Sequence, residues 1–245
     1  MEISESKSNR FKGLRAAAVL MLAVLCMCTP AFAAKKYTIK NVKADYAIQA
    51  DVTLSGSGTG YHAKLIACTP TAATSFGIQF DTATWQEYAS IPAFMIENVM
   101  SNNAGGQAYH WVGKGEPGRK YRLMLAFKKK SGKVSVYIDG RKVKTVRNPS
   151  LKGKQVSLRV EASARKGKDK VDAVFSNIKI KKNGKYKKSY KWKTVVFDTN
   201  RGIKSDVSEY SASKTIRIAG KIKGLSKSQD WDSAYGSVSG IVQFR

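Results

Sequence analysis

The sequence predicts an all-β protein, a sandwich or barrel of short antiparallel strands, and three observations carry that expectation. Apolar and polar residues alternate at period two in segment after segment, and no segment keeps a helical stripe for long. Breaks rich in Gly and Asn separate the alternating runs, as in SGSGTG at 55–60, NNAGG at 102–106, GKGEPG at 113–118 and SGK at 131–133. The third observation is VSVYIDGRKVKTV at 134–146, where Asp139-Gly140 joins two alternating runs. Both residue types tolerate positive φ, so the pair suits a two-residue type I′ turn whose twist matches its strands.

Residues 1–33 read as a secretory signal peptide and stand outside the fold. MEISESKSNRFKGLR is polar and net basic, AAAVLMLAVLCMC is apolar, and TPAFA ends in small residues at Ala31 and Ala33. A retained anchor would need about 20 apolar residues, so no transmembrane anchor is expected after cleavage. A lipoprotein is disfavoured because Met27 stands where a small residue should precede a lipidated Cys28. Cleavage after Ala33 removes Cys26 and Cys28, leaving Cys68 without an internal disulfide partner. A lone cysteine of this kind reads as a small core residue.

The first domain is expected over 34–181. Tyr46, Ile48, Ala50, Val52 and Leu54 share one face of its opening strand, with Gln49, Asp51 and Thr53 on the other. Phe76, Ile78 and Phe80 form the next apolar set, followed by Leu123, Leu125 and Phe127, then Val134, Val136 and Ile138. Val156, Leu158 and Val160 follow, and Val174, Ile178 and Ile180 close the series. In the hairpin, turn register sets Val143 opposite Val136 on the core face, with Tyr137, Lys142 and Lys144 on the opposite, basic face. Residues 182–245 are a basic extension with further strand patterns at Trp192–Phe197, Thr215–Ile218 and Ser239–Phe244. About 60 residues without a disulfide make a marginal independent sandwich. These strands are therefore expected to pack on the first domain, a truncated repeat being the alternative.

The strand series Ala50-Asp51-Val52, Gly77-Ile78-Gln79-Phe80, Tyr121-Arg122-Leu123-Met124-Leu125, Val136-Tyr137-Ile138-Asp139-Gly140 and Phe175-Ser176-Asn177-Ile178-Lys179-Ile180 resembles the concanavalin A-like lectin/glucanase superfamily, laminin-G-like modules included. The resemblance covers about residues 37–181 and rests on architecture. It implies a two-sheet antiparallel jelly-roll sandwich whose concave face or loop rim meets carbohydrate. Retaining glucanases of that superfamily carry E-x-D-x-x-E on one strand, which places a nucleophile and an acid about 5 Å apart. No such triplet occurs here: Glu87, Glu97 and Glu116 stand singly, and Asp230 and Asp232 sit in the loop-like DWDSAYGS. No catalytic residue is assigned, and a glycoside hydrolase or polysaccharide lyase of the same fold is the runner-up. No cofactor is expected, although such sandwiches often hold a structural calcium ion, for which Asp81, Asp230 and Asp232 are the candidates.

Charge and aromatic residues point to binding. The chain carries +27, and +25 once the four basic and two acidic side chains of residues 1–33 are removed. Such an excess favours a polyanionic partner. In Ala108-Tyr109-His110-Trp111, Tyr109 and Trp111 fall on one face of an extended segment beside a loop containing Asn102, Asn103 and Gln107. Rings suit the C–H faces of sugars and amides suit their hydroxyls. The alternative is that these rings fill the core, and Trp85 and Trp231 carry the same ambiguity. Lys142, Lys144, Lys185, Lys187 and Lys188 are the candidate anion contacts, while basic runs such as 128–130 and 165–170 also serve as solvated turns and edges. The expected function is a secreted or cell-surface, non-catalytic carbohydrate-binding sandwich for acidic glycan or envelope polysaccharide. A structural envelope protein held to an anionic surface by charge is the third class. Export removes the chain from cytoplasmic nucleic acid, so no specific nucleic-acid partner is expected.

Overall fold

Each alternating run becomes a strand because that conformation alone puts all its apolar side chains on one side of the backbone. The computed structural model describes residues 35–83, 86–99, 107–164, 169–197, 204–210, 215–221 and 238–245. In chain order the described strands are β1 (Tyr46–Ser57), β2 (Gly60–Cys68), β3 (Ala73–Asp81), β4 (Ala93–Val99), β5 (Gln107–Lys114), β6 (Tyr121–Lys128), β7 (Lys133–Ile138) and β8 (Arg141–Arg147). They continue with β9 (Ser157–Ala164), β10 (Lys170–Lys182), β11 (Lys185–Lys187), β12 (Trp192–Phe197), β13 (Lys204–Tyr210), β14 (Thr215–Lys221) and β15 (Val238–Phe244).

These strands form two antiparallel sheets. The eight-stranded sheet runs β13-β14-β10-β1-β6-β7-β8, with β11 added on β10, and the seven-stranded sheet runs β12-β15-β9-β2-β3-β4-β5. Ile48, Val52, Leu123, Leu125 and Phe175 of the first meet Leu65, Phe76, Ile96 and Val160 of the second in one core. The fold is the predicted two-sheet antiparallel sandwich. Chain beyond residue 182 enters both sheets: β14 pairs with β10, β15 pairs with β9, and Ile216, Ile218, Val242 and Phe244 join the shared core. Cys68 is buried, and desolvation pushes its thiol pKa up, so it behaves as a core side chain.

Bulges overturn two details of the predicted facing. In the hairpin, Asp139 and Gly140 have φ of 50° and 82°, which gives the two-residue turn. The register then shifts: Val136 faces Lys144 while Tyr137 faces Lys142, and the extra residue Val143 is 38% exposed. An inserted residue flips the alternation. Lys144 therefore shares the face of core residue Val136, and Lys142 the face of Tyr137, so the two lysines do not form one basic face. In β10, Val171, Ala173 and Phe175 point inward, and so do Ile178 and Ile180. Asn177, at φ 50°, absorbs the phase change, so Val174 does not belong with Ile178.

The outward face of the eight-stranded sheet is covered by chain that precedes β1. Ile39 and Val42 pack on Ala47, Met124, Ala126 and Tyr137. Lys181, at the head of a basic stretch, is buried and donates from Nζ to the carbonyls of Val42 at 2.7 Å and Lys40 at 3.4 Å. Asp169, inside another basic run, is buried as well. Its carboxylate accepts from the backbone N–H groups of Thr59 and Gly60 at 2.8 and 3.0 Å and from Thr59 Oγ1 at 2.9 Å, holding the turn between β1 and β2.

Candidate functional site

The outward face of the seven-stranded sheet carries the chemistry. Ala63, Leu65, Phe76, Ile96 and Val160 point inward, so period two turns His62, Lys64, Ser75, Glu97 and Glu161 away from the core. Directly paired residues share a face. Lys64 lies between Glu161 of β9 and Gly77 of β3; Glu97 of β4 lies between Ser75 and Tyr109; Met95 pairs with Trp111.

One ion pair and one hydrogen bond to a carboxylate hold this surface together. Lys64 Nζ donates to Glu97 Oε2 at 2.8 Å across β3, and His62 Nε2 donates to Glu161 Oε1 at 3.0 Å. Side-chain exposure is 8% for Lys64, 17% for Glu97, 12% for His62 and 20% for Glu161. Beneath the Lys64 crossing, a Cβ on Gly77 would stand 1.9 Å from the Ala63 carbonyl oxygen. Only glycine fits between the two strands there. Next to Glu97, Ser75 Oγ is buried without a hydrogen-bond partner among the described residues.

Protonation follows from the surroundings. Burial, with the Lys64 charge behind it, holds the His62 imidazole below its usual range and therefore neutral at pH 7. Burial pushes the Glu161 carboxyl up, but the His62 hydrogen bond and the neighbouring positive charges, Lys64 and Arg159 among them, outweigh it and hold it low. Glu97 behaves likewise: burial raises it, and the Lys64 charge and hydrogen bond more than compensate. Both carboxylates are thus ionised, and Nε2–H of neutral His62 is the donor to Glu161. Glycosidic cleavage by a carboxyl pair needs one partner kept protonated. Glu97 and Glu161 lack that division of labour.

Tyr109 and Trp111 occupy the same outward face at the sheet edge. Trp111 is half-buried and stacks on Tyr88 with ring centroids 4.8 Å apart and planes 12° from parallel, while Tyr109 is 50% exposed. The core-filling alternative therefore does not describe Tyr109. Gln107 begins β5 opposite Val99. Asn102, Asn103, Trp85 and Trp231 lie outside the described residues, as do Asp230 and Asp232. The Asp81 carboxylate accepts from Ala83 N at 2.9 Å and Gln79 Nε2 at 3.2 Å, the pattern of a turn cap.

The candidate lysines are not gathered around these rings. Lys142 and Lys144 sit on β8, and Lys185, Lys187 and Lys188 on or just after β11, all in the eight-stranded sheet. Lys144 has one electrostatic link to β5: burial first and its charge second lower the His110 pKa. Glu97, which reads as a single carboxylate in the sequence, is instead the partner of Lys64. His62, Lys64 and Glu161 are the candidate-site side chains that sequence reasoning missed. The available signal was charge at the outward positions of HAKLIAC and LRVEASA, two otherwise small and apolar strands.

No family model and no curated protein matches the chain. Among solved structures, it is similar to scytalido-glutamic peptidase crystallised with a transition-state-analogue inhibitor, at 14% identity and TM-score 0.46, covering 71% of this chain and 92% of that one. A pseudo β-1,3-glucanase and immunostimulatory antigen of Mycobacterium tuberculosis is similar at 9% identity and TM-score 0.33, covering 82% and 63%. An alginate lyase is similar at 10% identity and TM-score 0.29, covering 82% and 67%. At these scores none of the three lends a residue role to this chain.

Proposed function

We propose that the protein is an exported, non-catalytic carbohydrate-binding β-sandwich that holds an acidic glycan or envelope polysaccharide against the outward face of its seven-stranded sheet. The observation that carries this reading is the half-exposed ring of Tyr109, beside the stacked Tyr88–Trp111 pair and the paired charges of Lys64 and Glu97. A ring of this kind offers a flat apolar wall to a sugar, and the neighbouring charged groups offer hydrogen bonds to its hydroxyls. The net charge of +25 left after removal of residues 1–33 adds attraction to an acidic polymer. Export is part of the reading; an intact Met1 or an acylated cysteine in the mass of the secreted protein would overturn that part.

The test is Tyr109→Ala on a panel of neutral and acidic polysaccharides. One lost stacking contact is worth about 1–1.5 kcal/mol, so affinity should fall about tenfold while the unfolding midpoint stays put. Unchanged binding across the panel would refute the site. One observation favours a second reading, cleavage by a polysaccharide lyase: His62 is neutral and its Nε2–H is engaged by Glu161, which leaves Nδ1 as a base. Release of unsaturated products, abolished in His62→Gln, would establish the lyase and displace the binding module.

A further inference from the structure

A cavity of about 380 Å³ lies on the opposite side of the molecule, where the chain before β1 crosses the outward face of the eight-stranded sheet. Its floor is Gln49 and Asp51 of β1 with their cross-strand partners Lys179 of β10 and Arg122 of β6. Its walls are Lys36, Tyr37 and Thr38 on one side and Lys120, Asp139 and Gly140 on the other. Tyr37 N donates to the Gly140 carbonyl at 2.6 Å, so wall and turn are tied together.

The charges in this cavity do not cancel. Asp51 is fully engaged: Arg122 donates from Nε at 2.8 Å and Nη2 at 3.3 Å, and Asn177 donates from Nδ2 at 2.7 Å. Asp139 accepts the Arg122 backbone N–H at 2.9 Å and faces Arg119 at 3.9 Å. Lys36, Lys120 and Lys179 form no ion pair among the described residues, and only the Lys120 charge reaches a carboxylate, that of Asp51. A second, independent observation comes from Gln49, only 3% exposed. Its Oε1 accepts the Ile39 N–H at 3.3 Å, which fixes the amide orientation. Its Nε2 makes no hydrogen bond among the described residues, and Gln49 lines the cavity. A nearly buried amide thus lines one small volume in which four cationic side chains, Lys36, Lys120, Arg122 and Lys179, outnumber the carboxylates of Asp51 and Asp139.

We propose that this cavity is a second ligand site, which takes the carboxylate or sulfate of a single acidic sugar unit. Its size is at the small end of ligand pockets, which run from roughly 300 to 1,000 Å³. The three lysines supply charge to the oxyanion, and the Gln49 amide supplies a directed hydrogen bond. This site does not depend on the Tyr109 face, and the two are separable by mutation.

The experiment is calorimetric titration at low ionic strength, where exposed charges are least screened, with glucuronate, glucose 6-sulfate, glucose and inorganic sulfate. Glucuronate or the sugar sulfate should bind at least tenfold tighter than glucose, and their order tells which acid group the site prefers. Lys120→Gln/Lys179→Gln, at two exposed positions, should lose at least tenfold. Gln49→Glu keeps an oxygen for the Ile39 N–H, replaces the donor with an acceptor, and should abolish binding. Tyr109→Ala should leave these monosaccharide affinities unchanged. Equal binding of glucose and glucuronate, equal binding of inorganic sulfate and the sugar acids, or wild-type affinity in both variants would overturn the proposal.

Discussion

Replacing Glu97 with Gln should destabilise the protein by about 3 kcal/mol, because it strands a buried ammonium. Lys64 Nζ and Glu97 Oε2 are 2.8 Å apart, with side chains 8% and 17% exposed. At an effective dielectric of about 20, the attraction of two unit charges at that range is about 4–6 kcal/mol. Removing one partner of a buried pair costs about 3–5 kcal/mol, since the survivor stays desolvated. The lower end applies here because Glu161, paired directly with Lys64 across β2 and β9, retains part of the compensation. With a urea slope of about 2 kcal/mol/M, the midpoint should fall by about 1.5 M. The companion variant Lys64→Met/Glu97→Gln removes both charges and should lie within about 1 kcal/mol of wild type, giving a coupling of at least about 2 kcal/mol once the loss in Lys64→Met is counted. A Glu97→Gln cost below about 1 kcal/mol, or a double variant that simply adds the two losses, would refute the claim that these charges are buried against each other.

Acid should weaken the fold in two stages. The His62 pKa is depressed below the usual histidine value of 6.5, so the unfolded chain binds a proton that the folded one refuses, and stability declines as pH falls through about that value. Asp51, Glu97 and Glu161 are depressed below 3.8, 4.5 and 4.5, so their contribution is complete above those values and lost as pH falls through the folded pKa of each. Urea midpoints from pH 8 to pH 3 should show both stages, and His62→Gln should flatten the first; an unchanged upper stage would remove His62 from the account. Gly77→Ala forces a Cβ to within 1.9 Å of a backbone oxygen and should cost at least about 2 kcal/mol in the same assay. A neutral result there would mean that β2 and β3 separate easily under the Lys64 crossing. Lys185, Lys187 and Lys188 changed together to Glu should weaken binding to acidic polymers and flatten its salt dependence, because fewer counterions are released; a salt slope equal to that of wild type would leave those lysines as solvated surface.

By itself the sequence determined the class of fold. Period-two alternation needs only local geometry, and Tyr46 to Leu54, Leu123 to Phe127 and Leu158 to Val160 bury the faces that the pattern assigns them. The Asp139-Gly140 turn is equally local, since it depends on the φ preferences of two adjacent residues. Tyr109 and Trp111 on one face belong to the same kind of inference. What the sequence left open depends on partners far along the chain. The bulges at Val143 and Asn177 come from matching strands of unequal length, which no single strand encodes, and they separated Lys142 from Lys144 and Val174 from Ile178. Lys64 and Glu97 are 33 residues apart and His62 and Glu161 are 99 apart, so only strand order β9-β2-β3-β4 makes four scattered polar side chains into one cluster. Lys181 and Asp169 look like members of solvated basic runs, yet each is buried on backbone groups supplied by another segment. The free energy that decides such cases is desolvation against pairing, and it has no value until tertiary structure sets both the burial and the partner.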